Sequence, residues 1–522
     1  MRANASIGFL AEQIMSTPGT RRGGAANRRE AQARKGAVQR AELINQLPAY
    51  SIMDEDGLEQ VLGMAFRILE TIGIEFRHPE APARWQSAGA QVDGARVRIK
   101  RDLIMKLIST APSEIRFNAR NPERSITLGG ARTVFSGAYG APHVLDFDDV
   151  RKTSTREHLQ NFTKLAHTAK TIQINGGVLA EPQDVDVRLR HFELVGQTIL
   201  LSDKPYMGAV TSRTAAKDTI ALSQLVFGEE FVDQNMVVGS LVNCNTPLVW
   251  DEAMINALEI YSRANQTVIC TPFVMGGASS PVSTIGACAL IIAEALSGIA
   301  YTQIIRKGAP AMFGCVAQTI SMKSGAPLTG SPEPIAMNLI VGQVIRKLGL
   351  VWRASGLWTT AKTPDLQAGY ESIMSTWGYM LAHANWIIHA AGIVEGGLAI
   401  SYSKFVHDVE QIDIFYEAFL RPRMDDLEEV FETLVKVGPG GHFLGEAHTR
   451  KNSFYIPELS DANSYEQWRD EGRLDAHQVG LAKARRMIDE YEAPAIDEGL
   501  RQTIGDFIAS RSKAITGGEF EQ

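Results

Sequence analysis

The chain has 522 residues, of which 45% are hydrophobic and 21% are charged. These proportions are typical of a soluble globular protein and exclude wholesale disorder or a fibrous chain. The formal net charge is −7 and the pI is near 5.9, so no general positive field favours nucleic acid or an anionic membrane surface. We therefore expect small molecules or other proteins as partners.

The first 45 residues are predicted to form a mobile basic tail. Residues 21–40 hold seven basic side chains and one glutamate, separated by Gly and Ala without apolar periodicity. Such a tail is either simply solvated or clasps a neighbouring subunit or acidic partner. No continuous apolar stretch with a cleavage site follows the start, so we expect a cytoplasmic protein.

Residues 46–130 are predicted to form a small α+β region. Acidic residues from Asp54 open a helix whose apolar face includes Leu58, Val61 and Leu62. Alternation around Ile115 and again around Leu128 indicates two strands of a hairpin.

From residue 131 to residue 407 the pattern is that of repeated βα units, and a helical extension that packs on them is expected over 408–522. Eight apolar runs end in small or polar residues, and stretches with helical periodicity separate them. The runs begin at Val134, Ile172, Pro205, Met236, Thr267, Pro310, Leu350 and Trp386. Eight units of this size predict an α/β fold of the (β/α)8 TIM-barrel type. A doubly wound sheet is less favoured because the chain has no Gly-rich phosphate loop.

One apolar stretch, residues 282–305, is long enough to suggest a membrane span. Glu294 stands in its middle and Gly, Ser, Thr and Tyr interrupt it, which favours a buried helix and no membrane.

In a barrel, reacting groups lie where the strands end. The candidate side chains selected by this rule are Tyr139, Asn175, Gln318, Trp358, Asp365, Gln367, His389 and Glu395. The chain has no H-E-x-x-H motif, serine nucleophile elbow or Asp-rich cluster. Such a site, rich in aromatic, amide and small residues, suits an uncharged or cationic substrate whose reaction needs little proton transfer.

Three segments carry a family resemblance: GLWTTAKTPDLQAGYES, MKSGAPLTGSPEP and PGGHFLGEAHT. Together they resemble the trimethylamine:corrinoid methyltransferase family, over nearly the whole chain from about residue 50. The resemblance implies a (β/α)8 barrel, methyl transfer from nitrogen to cobalt, and a separate corrinoid-binding protein as partner. It implies no corrinoid bound directly to this chain.

The chain departs from the founding members of that family at one position. They carry pyrrolysine in the loop where this sequence has Trp358, so the chain resembles the non-pyrrolysine branch typified by glycine betaine:corrinoid methyltransferase. Cobalt(I) takes a methyl group only if the nitrogen leaves as a neutral amine, and a quaternary amine meets that condition without activation. Tyr139 and Trp358 are then candidate cage residues for the cation, and His389 is a candidate donor to a betaine carboxylate.

The sequence leaves several alternatives open. Trp358 either faces the substrate or packs under its loop, and His389 is either a ligand or a satisfied core residue. Asp365 and Gln367 bind the substrate or only shape the loop, and Glu395 is a counter-charge or part of a structural ion pair. Trimethylamine, carnitine and proline betaine are rival methyl donors. A non-catalytic sensor of quaternary amines is a rival of another class.

A zinc-thiolate barrel is a further rival, because Cys244, Cys270 and Cys315 fall on neighbouring predicted strands. We expect these cysteines and Cys288 to be reduced, buried thiols without a metal, since no metal-ligand spacing is present. A homo-oligomer is expected, because large interfaces are common for such enzymes and the basic tail is suited to one.

Overall fold

The computed structural model describes residues 39–452 and 454–522. The predicted basic tail therefore lies outside the described residues up to residue 38, whereas Leu43–Ile44 pairs with a central strand. The strands in chain order are β1 (Leu43–Ile44), β2 (Ile74–Phe76), β3 (Gln91–Asp93), β4 (Arg96–Arg98), β5 (Glu114–Phe117), β6 (Ile126–Gly129), β7 (Arg132–Phe135), β8 (His143–Leu145), β9 (Arg151–Thr153), β10 (Tyr206–Met207), β11 (Val238–Cys244), β12 (Val249–Trp250), β13 (Thr267–Gly276), β14 (Ala311–Gly314), β15 (Val316–Ile320), β16 (Pro327–Leu328), β17 (Val351–Ser355), β18 (Trp386–Ile388), β19 (Ile393–Val394) and β20 (Ala399–Ser401).

Helices connect most of these strands, as expected for an α/β protein. They are α1 (Glu55–Arg67), α2 (Ala81–Ala88), α3 (Arg101–Ile108), α4 (Arg156–Thr168), α5 (Thr198–Leu201), α6 (Arg213–Phe227), α7 (Glu229–Gln234), α8 (Glu252–Arg263), α9 (Thr284–Ile305), α10 (Pro332–Leu348), α11 (Leu366–Leu381), α12 (Tyr402–Ala418), α13 (Leu427–Val437), α14 (Ala447–Lys451), α15 (Tyr465–Asp470), α16 (Ala476–Asp489) and α17 (Glu498–Thr516).

Seven parallel strands form the centre of the molecule. They pair in the order β10, β11, β13, β14, β17, β18 and β7. Each of them arises from one of the eight apolar runs that the sequence indicated. The second run, from Ile172, forms single parallel bridges instead: Ile174 pairs with Ser136 beyond β7, and Gly176 pairs with Tyr206 of β10. Two consecutive glycines after Asn175 weaken a regular strand there.

The predicted hairpin is confirmed and lies at the amino end of the parallel strands. Strands β5 and β6 are antiparallel, with Ile115 opposite Leu128, and Phe117 makes a parallel bridge with Met236 just before β11. Apolar side chains of the hairpin join a buried cluster with those of the strands: Ile115, Phe117, Ile126, Leu128, Val134, Ile174, Met207, Met236, Leu241, Ile269, Met312, Val351, Trp386 and Ile388. This end is filled by packing, so the opposite, carboxyl end of the strands is left for a site.

The apolar stretch that suggested a membrane span is helix α9. It is long and apolar enough to cross a bilayer, but 83% of its most apolar window is buried within the protein. It packs against β13, α1 and α3. Its Glu294 is fully buried and accepts hydrogen bonds from the Thr246 hydroxyl at 2.7 Å and the Leu248 amide at 2.6 Å. A buried carboxyl group with two donors explains how the helix tolerates an acid at its centre.

The C-terminal part is mostly helical. Helix α12 packs along α16, and α17 buries Ile504 and Ile515 against the rest of the protein. The helices between them, α13, α14 and α15, have no buried residue.

Candidate functional site

Three rings meet beyond the carboxyl ends of β7, β17 and β18. The His389 ring lies edge-on to Trp358, with ring centroids 4.7 Å apart, and edge-on to Tyr139, with centroids 6.3 Å apart. Trp358 and His389 are nearly buried, at 5% and 6% exposure, and Tyr139 is partly exposed. The structure thus brings together the two candidate cage residues and the candidate carboxylate donor, although they are up to 250 positions apart in the sequence.

Close packing fixes the Trp358 ring. Gly397 lies against it, so that a Cβ at this glycine would sit 3.2 Å from the ring, and the Ser375 hydroxyl accepts a hydrogen bond from the Trp358 amide at 3.1 Å. The indole Nε1 has no hydrogen-bond partner among the described residues. Because a buried indole N–H ordinarily finds an acceptor, this side chain is compatible with a polar ligand beside it.

His389 is held as a neutral imidazole. Its Nδ1 lies 2.5 Å from the Ser355 hydroxyl and 3.4 Å from Nη2 of Arg353. Burial, with the nearby positive charge of Arg353, holds the pKa of His389 well below 6.5, and a hydrogen bond to the backbone of Tyr139 opposes this only in part. A guanidinium can only donate, so Nδ1 acts as the acceptor and the proton resides on Nε2. The imidazole therefore carries no charge at neutral pH.

Arg353 is a residue of this site that the sequence reasoning missed. It lies on β17 between Trp352, which packs outward, and Ala354, and it is only 1% exposed. Its Nε and Nη1 have no hydrogen-bond partner among the described residues. Burial lowers the pKa of Arg353 to about 10, so it remains a cation at neutral pH. The available signal was an arginine inside an otherwise apolar strand, since arginine is almost never fully buried without a partner.

The loop after β17 is shaped by Glu371 of α11. Its carboxylate accepts hydrogen bonds from the Thr359 hydroxyl and the Thr360 amide, both at 2.7 Å, and from Gln367 Nε2 at 2.8 Å. Asp365 is exposed and caps α11 by accepting from the Ala368 amide at 3.0 Å. The structure therefore places Asp365 and Gln367 in contacts that hold the loop.

Glu395 is part of an ion pair. Both of its carboxylate oxygens lie 2.9 Å from Nε of Arg151, and the Glu395 side chain is only 14% exposed. Its negative charge is thus already matched.

The two candidate amides, Asn175 and Gln318, are both buried. Asn175 donates from Nδ2 to the Thr163 carbonyl oxygen of α4 at 3.1 Å, and its Oδ1 has no partner among the described residues. Gln318 lies on β15, opposite Met275 of β13, and its Oε1 has no partner among the described residues.

Comparison with known proteins decides the family. The sequence profile of the trimethylamine methyltransferase (MTTB) family matches residues 21–516. The chain belongs to this family. It is similar to the glycine betaine methyltransferase of Desulfitobacterium hafniense, with 36% identity over 90% of this chain and 98% of the relative. It is also similar to the proline betaine:corrinoid methyltransferase of Eubacterium limosum, with 27% identity over 73% of this chain and 80% of the relative.

Among solved structures, this methyltransferase is similar to the hydroxylamine complex of MtmB. The TM-score is 0.50 and the identity 10%, over 85% of this chain and 89% of the other. At that identity the similarity concerns the fold alone.

The cysteines of this family member are free, buried thiols. Burial raises the pKa of Cys315 to about 12 and raises those of Cys244, Cys270 and Cys288 as well, so the thiols are protonated at neutral pH. Within residues 39–452 and 454–522, no group of three or more His, Cys, Asp or Glu side chains is arranged to hold a metal ion.

Proposed function

We propose that this chain transfers a methyl group from a small quaternary amine, glycine betaine first among them, to the Co(I) corrinoid of a separate protein. The observation that carries the proposal is the meeting of Trp358, Tyr139 and neutral His389 where the strands end. Aromatic faces attract a quaternary ammonium by about 0.5–2 kcal/mol each. The names of the two similar methyltransferases, which act on glycine betaine and proline betaine, support the same substrate class.

The chemistry expected of such a site is positioning and desolvation. A quaternary nitrogen leaves as a neutral tertiary amine when its methyl group is taken, so no proton has to be delivered to it. The neutral state of His389 agrees with this, because an imidazolium beside the cation would repel it. Holding the methyl carbon at a fixed place for an incoming nucleophile lowers the entropic part of the barrier.

The proposal includes an eight-stranded (β/α)8 barrel as the scaffold. The parallel order from β10 through β18 to β7 supports it, as do the two bridges, at Ile174 and Gly176, which link β7 back to β10. The corrinoid is supplied by the partner protein. A cytoplasmic location and a homo-oligomeric state, both expected from the sequence, complete the proposal.

The direct test mixes the purified protein with reduced corrinoid protein and one amine at a time, while the absorbance of Co(I) is followed. The panel contains glycine betaine, proline betaine, carnitine and trimethylamine. We expect Co(I) to be methylated with a quaternary amine and not with trimethylamine. If calorimetry shows tight binding of an amine that is never demethylated, the sensor function replaces this proposal.

A further inference from the structure

Arg353 has no function in the fold that its contacts explain. It is buried on β17, where its register partner is Trp386 of the neighbouring strand β18. Its Nη2 makes one long contact, 3.4 Å, with neutral His389. Nε and Nη1 of Arg353 have no hydrogen-bond partner among the described residues. No aspartate or glutamate within residues 39–452 and 454–522 pairs with the guanidinium.

Such an arrangement is unfavourable unless something else completes it. Burying a guanidinium removes its hydration, and the loss is compensated only by an anion or by several acceptors. The groups around Arg353 supply neither, because His389 is neutral and burial raises the pKa of both Tyr139 and Cys315 to about 12. Carboxylates are the anions whose planar geometry matches the guanidinium fork.

The position of the guanidinium relative to the rings sets the size of the ligand. One imidazole touches both features: Nδ1 of His389 contacts Arg353, and its ring lies edge-on to Trp358 and Tyr139. A ligand that reached both the guanidinium and the rings would therefore need its anionic and cationic ends separated by little more than one imidazole. Only a compact zwitterion has both charges that close together.

We propose that Arg353 binds the carboxylate of the substrate and thereby selects small aliphatic betaines over methylated amines that lack a carboxylate. This inference rests on the proposed function, because it places the quaternary nitrogen at the aromatic rings. For trimethylammonium, tetramethylammonium or choline the guanidinium stays unpaired and adds a second cation to the site. For glycine betaine the two charges of the ligand match the two features of the pocket.

Binding calorimetry on the full chain tests this without any corrinoid. The probes are glycine betaine, its methyl ester, choline and tetramethylammonium. We expect the wild-type protein to bind glycine betaine at least thirtyfold more tightly than the methyl ester, which has lost only the negative charge. We expect Arg353→Gln to bring the two affinities within about threefold of each other, and Arg353→Lys to retain part of the preference. Arg450→Gln, at an exposed position, is the matched control and should change nothing.

The outcomes separate this inference from the proposed function. Equal wild-type affinity for glycine betaine and its methyl ester overturns the role of Arg353, even if methyl transfer is observed, and it does so even if every variant fails to fold. A strong preference that Arg353→Gln leaves intact also overturns it. A preference that this variant abolishes supports the inference, even if the wild-type protein methylates no corrinoid and the proposed function fails.

Discussion

The Trp358 ring lies edge-on to the imidazole of His389, with centroids 4.7 Å apart. One side chain comes from the loop after β17 and the other from the residue that follows β18, which has a left-handed backbone with φ of +66°. This backbone is uncommon for a residue other than glycine. The left-handed conformation occurs where the chain leaves β18. At this point the imidazole of His389 lies between the indole of Trp358 and Arg353.

Replacing Trp358 by Leu should weaken binding of the quaternary amine about five- to thirtyfold, because one aromatic contact of about 1–2 kcal/mol is lost. The affinity is measured by calorimetry with glycine betaine. Trp377→Leu is the control, since Trp377 is 40% exposed on α11. Equal effects of the two substitutions would mean that Trp358 only packs under its loop.

Replacing Glu371 by Gln should lower the rate of methyl transfer about tenfold or more while the protein stays folded. The carboxylate accepts hydrogen bonds from two residues of the Trp358 loop and from Gln367, and an amide cannot accept all of them. We expect circular dichroism to show an unchanged secondary structure in the variant. We expect its tryptophan fluorescence to change less on addition of the ligand than that of the wild type. Glu428→Gln, at an exposed position of α13, should behave like wild type, and a full response in Glu371→Gln would argue against a positioning role.

Glu294 should make the protein less stable as the pH rises. Burial raises its pKa from 4.5 to about 7 in the folded state. A raised folded-state pKa gives stability that is complete below pH 4.5 and is lost as the pH rises towards 7. The difference corresponds to about 3 kcal/mol in the free energy of unfolding.

Urea unfolding at pH 5 and pH 8 measures this effect in the wild type and in Glu294→Gln. We expect the loss between the two pH values to be smaller in the variant by about 2–3 kcal/mol. An identical pH dependence in both proteins would show that Glu294 is ionised in the fold without penalty.

His389 should make the protein less stable as the pH falls, which is the opposite of the effect of Glu294. Its folded-state pKa is held well below 6.5 by burial and by Arg353, so its contribution to stability is present above pH 6.5 and is lost as the pH falls below it. We expect His389→Asn to lose less stability than wild type between pH 7 and pH 5. His442→Gln, at an exposed histidine, is the control. An NMR titration of His389 with a midpoint near 6.5 would contradict this prediction.

The strands of the parallel sheet could be predicted from the sequence because their burial on both faces leaves continuous apolar runs. Seven of the eight runs are strands, and the hairpin from Glu114 to Gly129 follows from simple alternation. The segment at Ile174 is the exception, since the glycines after it reduce the ladder to two bridges. The three rings could also be selected from the sequence, because strand ends in such a fold converge on one face.

The tertiary structure alone decided which polar side chains remain available for a ligand. Glu395 meets Arg151 across 244 positions, Asn175 donates its amide N–H to a carbonyl oxygen of α4, and Arg353 is buried without an acid beside it. The sequence determines that these groups stand near strand ends, since that depends on local pattern. Whether a charge is paired depends on partners that are distant in the chain, and only folding brings them within hydrogen-bond distance.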